Sequence, residues 1–320
     1  MGVSKVEYGG NTIVDLTGDT VNAGNLLMGA TAHNAAGDIV EGTVTLHGKN
    51  LLHNADWAYS LVNQRKHSGA VQNAYCIDRW VGNGSVAPIA GKHIVLTAGT
   101  TMTQLMEIIP AAVMGKQCTF SVDNNGTVEE VPISFPSGTT DAAEVANLSF
   151  GTVSLDFAAG TYSLNGISSS YVPQIVISVN RAAYIRRVYL ELGESSHMEQ
   201  SPPENFENAL SLCQRYYLPL SSVVRYPLTR VFSKEIDGMV PVPVTMRVTP
   251  TMIGTYKIMV GNTAMDSLPE YDDSMEITFS IASFGSNALP VRANTSIAHG
   301  KTLTDNMCLQ VTEAALSADL

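Results

Sequence analysis

The chain of 320 residues is poor in charge, and most of the charge it has is negative. Lys, Arg, Asp and Glu make up 15% of the residues, well below the ~25% of an ordinary soluble domain. The 18 basic and 29 acidic side chains leave a formal net charge of −11. Non-specific nucleic-acid binding depends on Lys and Arg that neutralise phosphates, so we expect no nucleic-acid partner.

Cysteines and long apolar runs are also scarce. The four cysteines are too widely spaced for a C-x-x-C pair, which favours buried thiols over a redox or metal site; they are Cys76, Cys118, Cys213 and Cys308. The N-terminus lacks the apolar core of a secretory signal. No stretch approaches the ~20 apolar residues of a membrane span. We therefore expect a reduced protein that is made inside the cell and does not insert into a membrane.

The motifs of common catalytic sites are missing from the sequence. It contains no G-x-S-x-G, no H-E-x-x-H, no P-loop and no dinucleotide-binding glycine motif after a strand. Glu129 and Glu130 are adjacent, so on a strand they would point to opposite faces and would not act together on one glycosidic bond. We expect a protein that is not an enzyme and has no cofactor. The oxygen-rich runs Asp123–Gly126 and Asp272-Asp273 leave a structural Ca²⁺ as an alternative to plain turns.

What the sequence does contain is period-two alternation. Over 240–248 the apolar residues fall on one face and Pro241 and Pro243 on the other, which is typical of an edge strand. The same alternation runs over 187–192 and 275–281. Four dipeptides that tolerate positive φ predict hairpin turns: Asn83-Gly84, Asn125-Gly126, Asn165-Gly166 and Asp237-Gly238. Together these features predict a mainly β fold built of β-sandwiches.

Two helices are predicted between the strands. Ser201 is a candidate cap, Pro202 stands at the first helical position and Glu204 at the third, so we expect a connecting helix over 201–217. A shorter helix is expected over Thr103–Ile109, with Pro110 ending it.

Four aromatic residues are candidates for stacking on sugar rings. Trp57 and Tyr59 lie close together, and for Trp57 a place in the core is an equal alternative. Tyr162 and Tyr171 lie in the polar run Gly160–Tyr171, the kind of long loop that carries binding on rigid sandwiches. We expect Trp80 to be a core residue.

Three segments occur in an order that carries a family resemblance: Lys49–Trp57, Val62–Arg65 and Tyr75–Trp80. This order resembles the opening of the carbohydrate-binding-like jelly rolls found in phage and prophage tail fibres and virion adhesins. The resemblance implies that its motif residues hold the sandwich together rather than contact a ligand; they are Asn63, Gln64, Arg65, Tyr75, Asp78, Arg79 and Trp80.

Further segments extend the resemblance to both ends of the chain. The strand and helix at 185–193 and 207–217 resemble the close of the same jelly roll. The segments at 240–250 and 316–320 resemble the β domain that follows in such fibres, and 29–43 resembles a short module at the particle-proximal end. The resemblance implies an attachment and oligomerisation segment at 1–48, a jelly roll at 49–200, the connecting helix at 201–217 and a second β-sandwich domain at 218–320.

The function implied by this resemblance is that of a bacteriophage fibre protein. In this reading the protein is part of the virion, forms a homotrimer, and attaches to other virion proteins through 1–48. Its jelly roll serves as a receptor-binding adhesin for bacterial surface glycans. The alternative is a structural virion protein, such as a head fibre, a capsid decoration or a baseplate component, whose jelly roll is a scaffold.

Overall fold

The structure is a computed structural model. It describes residues 3–22, 31–41, 50–89, 91–164, 166–220, 225–232, 235–246, 250–260, 263–264, 276–278, 288–294 and 307–318. The chain divides into two compact units, Met1–Lys49 and Asn50–Leu320. The mainly β class predicted from the sequence is confirmed, whereas the finer domain boundaries stay predictions.

The first unit contains two antiparallel strand pairs. Strands β1 (Lys5–Tyr8) and β2 (Asn11–Asp15) form one pair, and β3 (Thr31–His33) and β4 (Ile39–Glu41) form the other. The residues of β1 and β2 are exposed on both faces. A two-stranded ribbon with no covered face is marginal by itself, so these strands depend on further contacts for their stability.

The second unit begins with a ten-stranded antiparallel sheet. Its order is β10-β9-β14-β7-β6-β8-β13-β12-β11, with β5 paired to β6 beside this path. The two ends of the sheet curl toward each other, and the Glu129 carboxylate on β10 accepts a hydrogen bond from the Ser149 backbone N–H (2.6 Å) next to β11. The result is a sandwich-like sheet that is nearly closed into a barrel. Its strands are β5 (Gly69–Ile77), β6 (Trp80–Ile89), β7 (His93–Leu96), β8 (Thr101–Leu105), β9 (Gln117–Asn124), β10 (Thr127–Ser134), β11 (Glu144–Leu148), β12 (Gly151–Leu164), β13 (Ile167–Val179) and β14 (Ala183–Leu192).

Period-two alternation fills the interior of this sheet. In β14 the side chains of Val188 and Leu190 point into the core, and in β9 those of Phe120 and Val122 do the same. Apolar side chains from facing strands bury one continuous core, which is the main stabilising term for such a sheet. The alternation predicted over 187–192 is confirmed, except that Leu192 is exposed.

Two local predictions in this unit are wrong. Residues 101–105 form strand β8 rather than a helix, because they pair with β13 and bury Met102 and Gln104 alternately. Pro110 starts a one-turn helix, α1 (Pro110–Val113), instead of ending one. Asn83-Gly84 lies inside β6, where Gly84 (φ 122°) marks the point at which the neighbour of β6 changes from β8 to β7.

Asn125-Gly126 does form the predicted hairpin turn, between β9 and β10, with both residues at positive φ. Gly166 lies in the turn between β12 and β13, and Asn165 lies outside the described residues.

An eight-stranded antiparallel sheet follows, in the order β19-β18-β22-β16-β17-β21-β20 with β15 paired to β22. The predicted edge strand over 240–248 instead ends at Pro241 and begins earlier, so Asp237-Gly238 is part of a strand rather than a turn. Val240, Val242 and Met246 are buried and Val244 is half-buried, while 247–249 lie outside the described residues. The strands are β15 (Tyr217–Pro219), β16 (Arg225–Phe232), β17 (Glu235–Pro241), β18 (Thr251–Val260), β19 (Thr263–Ala264), β20 (Glu276–Thr278), β21 (Ala288–Asn294) and β22 (Met307–Ser317).

One helix, α2 (Phe206–Gln214), connects the two sheets along the chain. It begins later than predicted because Asn205, not Ser201, is the cap, and its side chain accepts hydrogen bonds from the N–H groups of Glu207 and Asn208. Ala209 and Cys213 on its buried face pack against Val62. Among the described residues, no helix is long and apolar enough to cross a membrane.

Candidate functional site

The two tryptophans form the centre of a buried polar and aromatic cluster. Trp57 and Trp80 meet edge to face, with ring centroids 5.3 Å apart. Both indole N–H groups donate to the backbone carbonyl of Asn54, at 2.6 and 2.9 Å. Trp57 is 0% exposed, so neither face of its ring is open to a sugar, and its candidacy as a glycan-binding residue is corrected. Trp80 is also fully buried and is a core residue.

The motif residues bond to each other and to the backbone. Gln64 donates from its backbone N–H (2.6 Å) and its side-chain amide (3.0 Å) to the Asp78 carboxylate, and also from the amide to the Tyr217 carbonyl (3.0 Å). The Asn63 side chain closes a turn with His67. These bonds join the loop after residue 50, the β5–β6 hairpin and β15.

The two motif arginines stack on tyrosine rings. The Arg65 guanidinium carbon lies 3.8 Å from the ring centroid of Tyr217 and 4.9 Å from that of Tyr75. That of Arg79 lies 3.5 Å from the ring of Tyr216, and its Nη2 donates to the Leu105 carbonyl. Cations over aromatic faces are stabilised by the ring quadrupole, which suits a structural role for these arginines.

The hairpin of β12 and β13 carries the other two tyrosine candidates. Tyr162 is only 4% exposed and its hydroxyl donates to the Ile108 carbonyl, so this ring cannot stack on a sugar and the prediction for it is wrong. Tyr171 is half-buried and packs against the core of the large sheet. Both tyrosines are less exposed than expected because residues 160–171 form paired strands over most of their length instead of a loop.

Tyr59 is the candidate whose ring is most open to solvent, at 54% exposure, although both of its neighbours in the chain are buried. The guanidinium of Arg187 lies 5.9 Å from its ring centroid. Arg187 is in turn 3.4 Å from the Asp56 carboxylate, measured from Nε to Oδ2. We call Tyr59, Asp56, Ser60, Arg187 and Glu204 the Tyr59 patch.

Hydrogen bonds fix the polar groups behind the ring. The Glu204 backbone N–H donates to Asp56 (3.1 Å), and the Ser60 hydroxyl donates to the Glu204 carboxylate (3.1 Å). The Tyr59 and Ser60 N–H groups both donate to the Asp56 carbonyl. The backbone that carries the exposed ring is therefore held on the sandwich rather than on a free loop.

Burial raises the pKa of both carboxyl groups in the patch. For Asp56 the loss of solvation outweighs the opposing effects of the Glu204 N–H, Arg187 and Arg186. For Glu204 burial also dominates, the Ser60 hydroxyl opposes it, and the negative charge of Asp56 adds to it. Two carboxyl groups that desolvate and repel each other bind protons more tightly in the folded state.

We expect Glu204→Gln to stabilise the protein at neutral pH and to lose this advantage as the pH falls. Because the pKa of Glu204 is raised on folding, wild-type stability decreases as the pH rises from the ordinary glutamate pKa of about 4.3 through the raised value. Glutamine still accepts from Ser60 but carries no charge. Urea unfolding between about pH 4 and pH 7 measures the difference. Glu199→Gln, at an exposed glutamate nearby, is the control, and an equal gain at every pH would contradict the explanation.

The Asp123–Gly126 run uses its oxygens within the fold. Asp123 accepts from the Gly126 N–H (2.6 Å) and lies 3.4 Å from Arg186, and the Asn124 side chain accepts from the Tyr184 N–H. These contacts suit the turn interpretation, and Asp272-Asp273 lies outside the described residues. In the described part of the chain, no group of three or more His, Cys, Asp or Glu side chains is arranged to hold a metal ion.

The cysteines are buried thiols, apart from the half-buried Cys308. Burial raises the pKa of Cys76 to about 11 and that of Cys118 to about 12. Thiols with such pKa values stay protonated at neutral pH and are poor nucleophiles.

Sequence reasoning identified Tyr59 but missed the charged residues behind it. Arg187 was placed on the face of its strand opposite the core, and that alternation was a usable signal. Nothing in the sequence indicates that Glu204 reaches Asp56, which is 148 positions away. The helix-cap pattern assigned Glu204 to the first turn of α2, whereas it precedes the cap.

No family model, curated protein or solved structure matches this chain.

Proposed function

We propose that the protein is a non-enzymatic fibre protein of a bacteriophage particle and that it binds bacterial surface glycans at the Tyr59 patch. The observation that carries this proposal is the ring of Tyr59, 54% exposed and mounted on buried neighbours. The resemblance of the segments around Trp57 and Trp80 to fibre proteins supports the proposal that the protein is part of a phage particle.

The patch has the parts that sugar recognition needs. A tyrosine ring presents an apolar face, against which the C–H groups of a pyranose pack, and a hydroxyl that hydrogen-bonds at its rim. The Arg187 guanidinium, which the Asp56 carboxylate holds, lies 5.9 Å from the ring centroid and brings a charged hydrogen-bond donor close to the ring. The backbone that carries the ring is already fixed on the Asp56 carbonyl, so binding has to order little more of the chain, which favours affinity.

The remaining parts of the chain take supporting roles in this proposal. Residues 1–48 attach the protein to other virion proteins, and a homotrimer presents three copies of the Tyr59 patch. Several weak sites on one particle bind a repetitive polysaccharide far more tightly than one site, because the later binding steps are intramolecular. A modest affinity at each Tyr59 is therefore sufficient for attachment.

We expect Tyr59→Ala to weaken binding to bacterial cells and their wall polysaccharides by about tenfold or more per site, which corresponds to ~1.4 kcal/mol. The melting temperature should change little, because the ring is mostly exposed. Surface-immobilised polysaccharide and the full-length protein give the measurement.

Tyr184→Ala is the matched control, since Tyr184 is also an exposed tyrosine, at 43% exposure, and lies on β14, the strand that carries Arg187. Equal binding by both variants and the wild type would remove Tyr59 from the proposal. If the wild-type protein binds no bacterial cell or wall polysaccharide, the adhesin function itself is refuted.

A structural virion role is the second candidate, and a specific observation favours it. Trp57 and Tyr162 are buried, and the motif residues around Asp78 bond to one another, so much of the aromatic and polar inventory serves the fold. Antibody labelling of intact particles separates the two functions. A position on the capsid would favour the structural role, and a position at the distal end of the tail would favour the adhesin.

A further inference from the structure

The outward face of β9 and β14, together with Asp56 beside β14, is polar and nevertheless buried. Residues directly opposite each other in an antiparallel register share a face. By register, Arg187 lies between Asp56 and Asp123, and Tyr189 lies opposite Ser121. One step further along the same face, Glu191 lies opposite Thr119. We call these residues the covered face: Asp56, Thr119, Ser121, Asp123, Arg187, Tyr189 and Glu191.

The burial of this face is unusual because the opposite side of the same strands is the apolar core. Polar alternate residues on an antiparallel sheet ordinarily face water. Here Ser121 and Glu191 are both 0% exposed. Something other than the sheet must cover them, and it is the chain between β14 and α2.

The covering segment is residues 194–205, which we call the strap. Ser196 donates from its N–H to the Glu130 carboxylate (3.0 Å). Glu130, on β10, lies opposite Ser121 in the register. His197 donates from its N–H to the Glu191 carboxylate (2.8 Å), and its ring Nδ1 lies 3.2 Å from the same oxygen. Met198 is buried and is the apolar anchor of the strap.

Arg187 attaches the middle of the strap. Its guanidinium donates to the carbonyls of Met198 (2.9 Å) and Ser201 (3.4 Å). The strap then ends on the Tyr59 patch through the Glu204 N–H and Asp56. The strap is therefore attached by hydrogen bonds to Arg187, Glu191 and Asp56 and by one buried methionine, and water or a polar ligand can take over these hydrogen bonds when the strap opens.

Beneath the strap, three buried side-chain oxygens have no hydrogen-bond partner: Asp56 Oδ1, Ser121 Oγ and Glu191 Oε1. Each such atom costs about 1–3 kcal/mol compared with a satisfied one. Three such oxygens lie together on one face, which marks a place that is suited to polar contacts which the strap does not supply.

We infer that the covered face is a second saccharide-binding site and that the strap is its removable cover. The unsatisfied carboxylate oxygens of Asp56 and Glu191 accept from sugar hydroxyls, and the Ser121 hydroxyl donates to or accepts from another. Tyr189 provides a ring beside them. The inference rests on the proposed function for the class of ligand, and it adds a site that shares Asp56 and Arg187 with the Tyr59 patch but lies under the strap instead of at the exposed ring of Tyr59.

The charge on and around the face selects among saccharides. Acidic side chains at Asp56, Asp123, Glu130, Glu191 and Glu204 outnumber the basic Arg186 and Arg187 there. An anionic sugar would be repelled by this excess of carboxylates. The ligand is therefore a neutral saccharide with several free hydroxyl groups.

Thiol labelling tests whether the strap opens. Ser121→Cys places a thiol on the covered face, and Val122→Cys places one on the neighbouring residue, which points into the core. Both variants carry Cys308→Ser, since Cys308 is the half-buried native thiol. We expect iodoacetamide to label the thiol at 121 at least tenfold faster than the thiol at 122, because the strap opens without unfolding of the sheet.

The same experiment tests the ligand. Cellohexaose, maltohexaose and the wall polysaccharide used for Tyr59 are added at saturating concentration, and we expect at least one to slow labelling at 121 severalfold. Equal labelling at 121 and 122 would show that the strap does not open and would overturn the inference. Fast labelling that no saccharide slows would overturn the binding site and leave a merely structural cover.

The outcomes separate this inference from the proposed function. Polysaccharide binding that depends on Tyr59 but does not protect position 121 keeps the proposed function and refutes the second site. A readout without substitution guards against misfolding of the variants. In the wild-type chain, hydrogen peroxide should oxidise Met198, the buried anchor of the strap, at least tenfold faster than Met102 in the core, which is also buried. Equal rates would refute opening.

Discussion

Replacing Trp80 by alanine is expected to destabilise the second unit by about 3–5 kcal/mol, the range for removal of a buried Trp or Phe side chain. The ring is 0% exposed and meets Trp57 edge to face at 5.3 Å. The substitution removes this packing, leaves a cavity that the surrounding strands can fill only in part, and deletes the donor that reaches the Asn54 carbonyl. Urea unfolding followed by circular dichroism measures the loss.

Two variants make the Trp80 result specific. Tyr184→Ala removes an exposed ring of the same sheet and should cost less than about 1 kcal/mol. Trp80→Phe keeps most of the volume but loses the indole N–H, so its cost should lie between the two. A shift for Trp80→Ala no larger than that of Tyr184→Ala would mean that Trp80 is not part of the core.

The sequence was most informative where local pattern and burial agree. Period-two alternation identified β14, and Asn125-Gly126 identified the turn between β9 and β10, because both signals depend only on neighbours in the chain. The same turn chemistry failed at Asn83-Gly84. A Cβ at Gly84 would lie 2.7 Å from the Thr100 Cα, so glycine is needed there for a close approach within a strand and not for a hairpin.

Contacts between distant parts of the chain set the limit of sequence reasoning. The helix predicted over Thr103–Ile109 gave way to pairing of β8 with β13, a tertiary contact that overrides local propensity. From the sequence, Trp57 was equally compatible with a core position and with a sugar-binding ring, and its complete burial in the fold decides for the core. The strap could not be predicted from the sequence, because it covers a sheet face that the period-two alternation predicts to be exposed.

The residues of the candidate site also divide into those that the sequence could identify and those that only the fold brings together. Tyr59 could be proposed from residue type alone, since exposed aromatics beside polar residues are common in sugar sites. Its selection over Trp57 and Tyr162 required burial, which depends on the whole fold. Arg187 joins the patch because β14 pairs with the chain at Asp56, and Glu204 joins it because the strap returns the chain to Asp56.

Replacing Asn54 by aspartate is expected to cost about 4 kcal/mol at neutral pH, because it leaves two buried carbonyl groups unsatisfied at about 1–3 kcal/mol each. The Asn54 amide donates to the carbonyls of Val62 and Asp78, both at 2.8 Å, and its oxygen accepts from the Val62 N–H at 2.9 Å. Aspartate keeps the acceptor, loses both donors, and brings a carboxylate against two carbonyl oxygens in a site that is 1% exposed.

The pH dependence and a matched control make the Asn54→Asp result diagnostic. Burial would raise the pKa of the new carboxyl, so the penalty should be full well above that pKa and should shrink as the pH falls, when the protonated acid regains one donor. Asn73→Asp is the control, because Asn73 has nearly the same left-handed backbone, with φ 47° against 49°, but is exposed. If the two variants lose equal stability, the cost lies in the backbone conformation. If Asn54→Asp alone is destabilised and recovers at acid pH, the hydrogen bonds beneath the two tryptophans hold the loop that presents Tyr59.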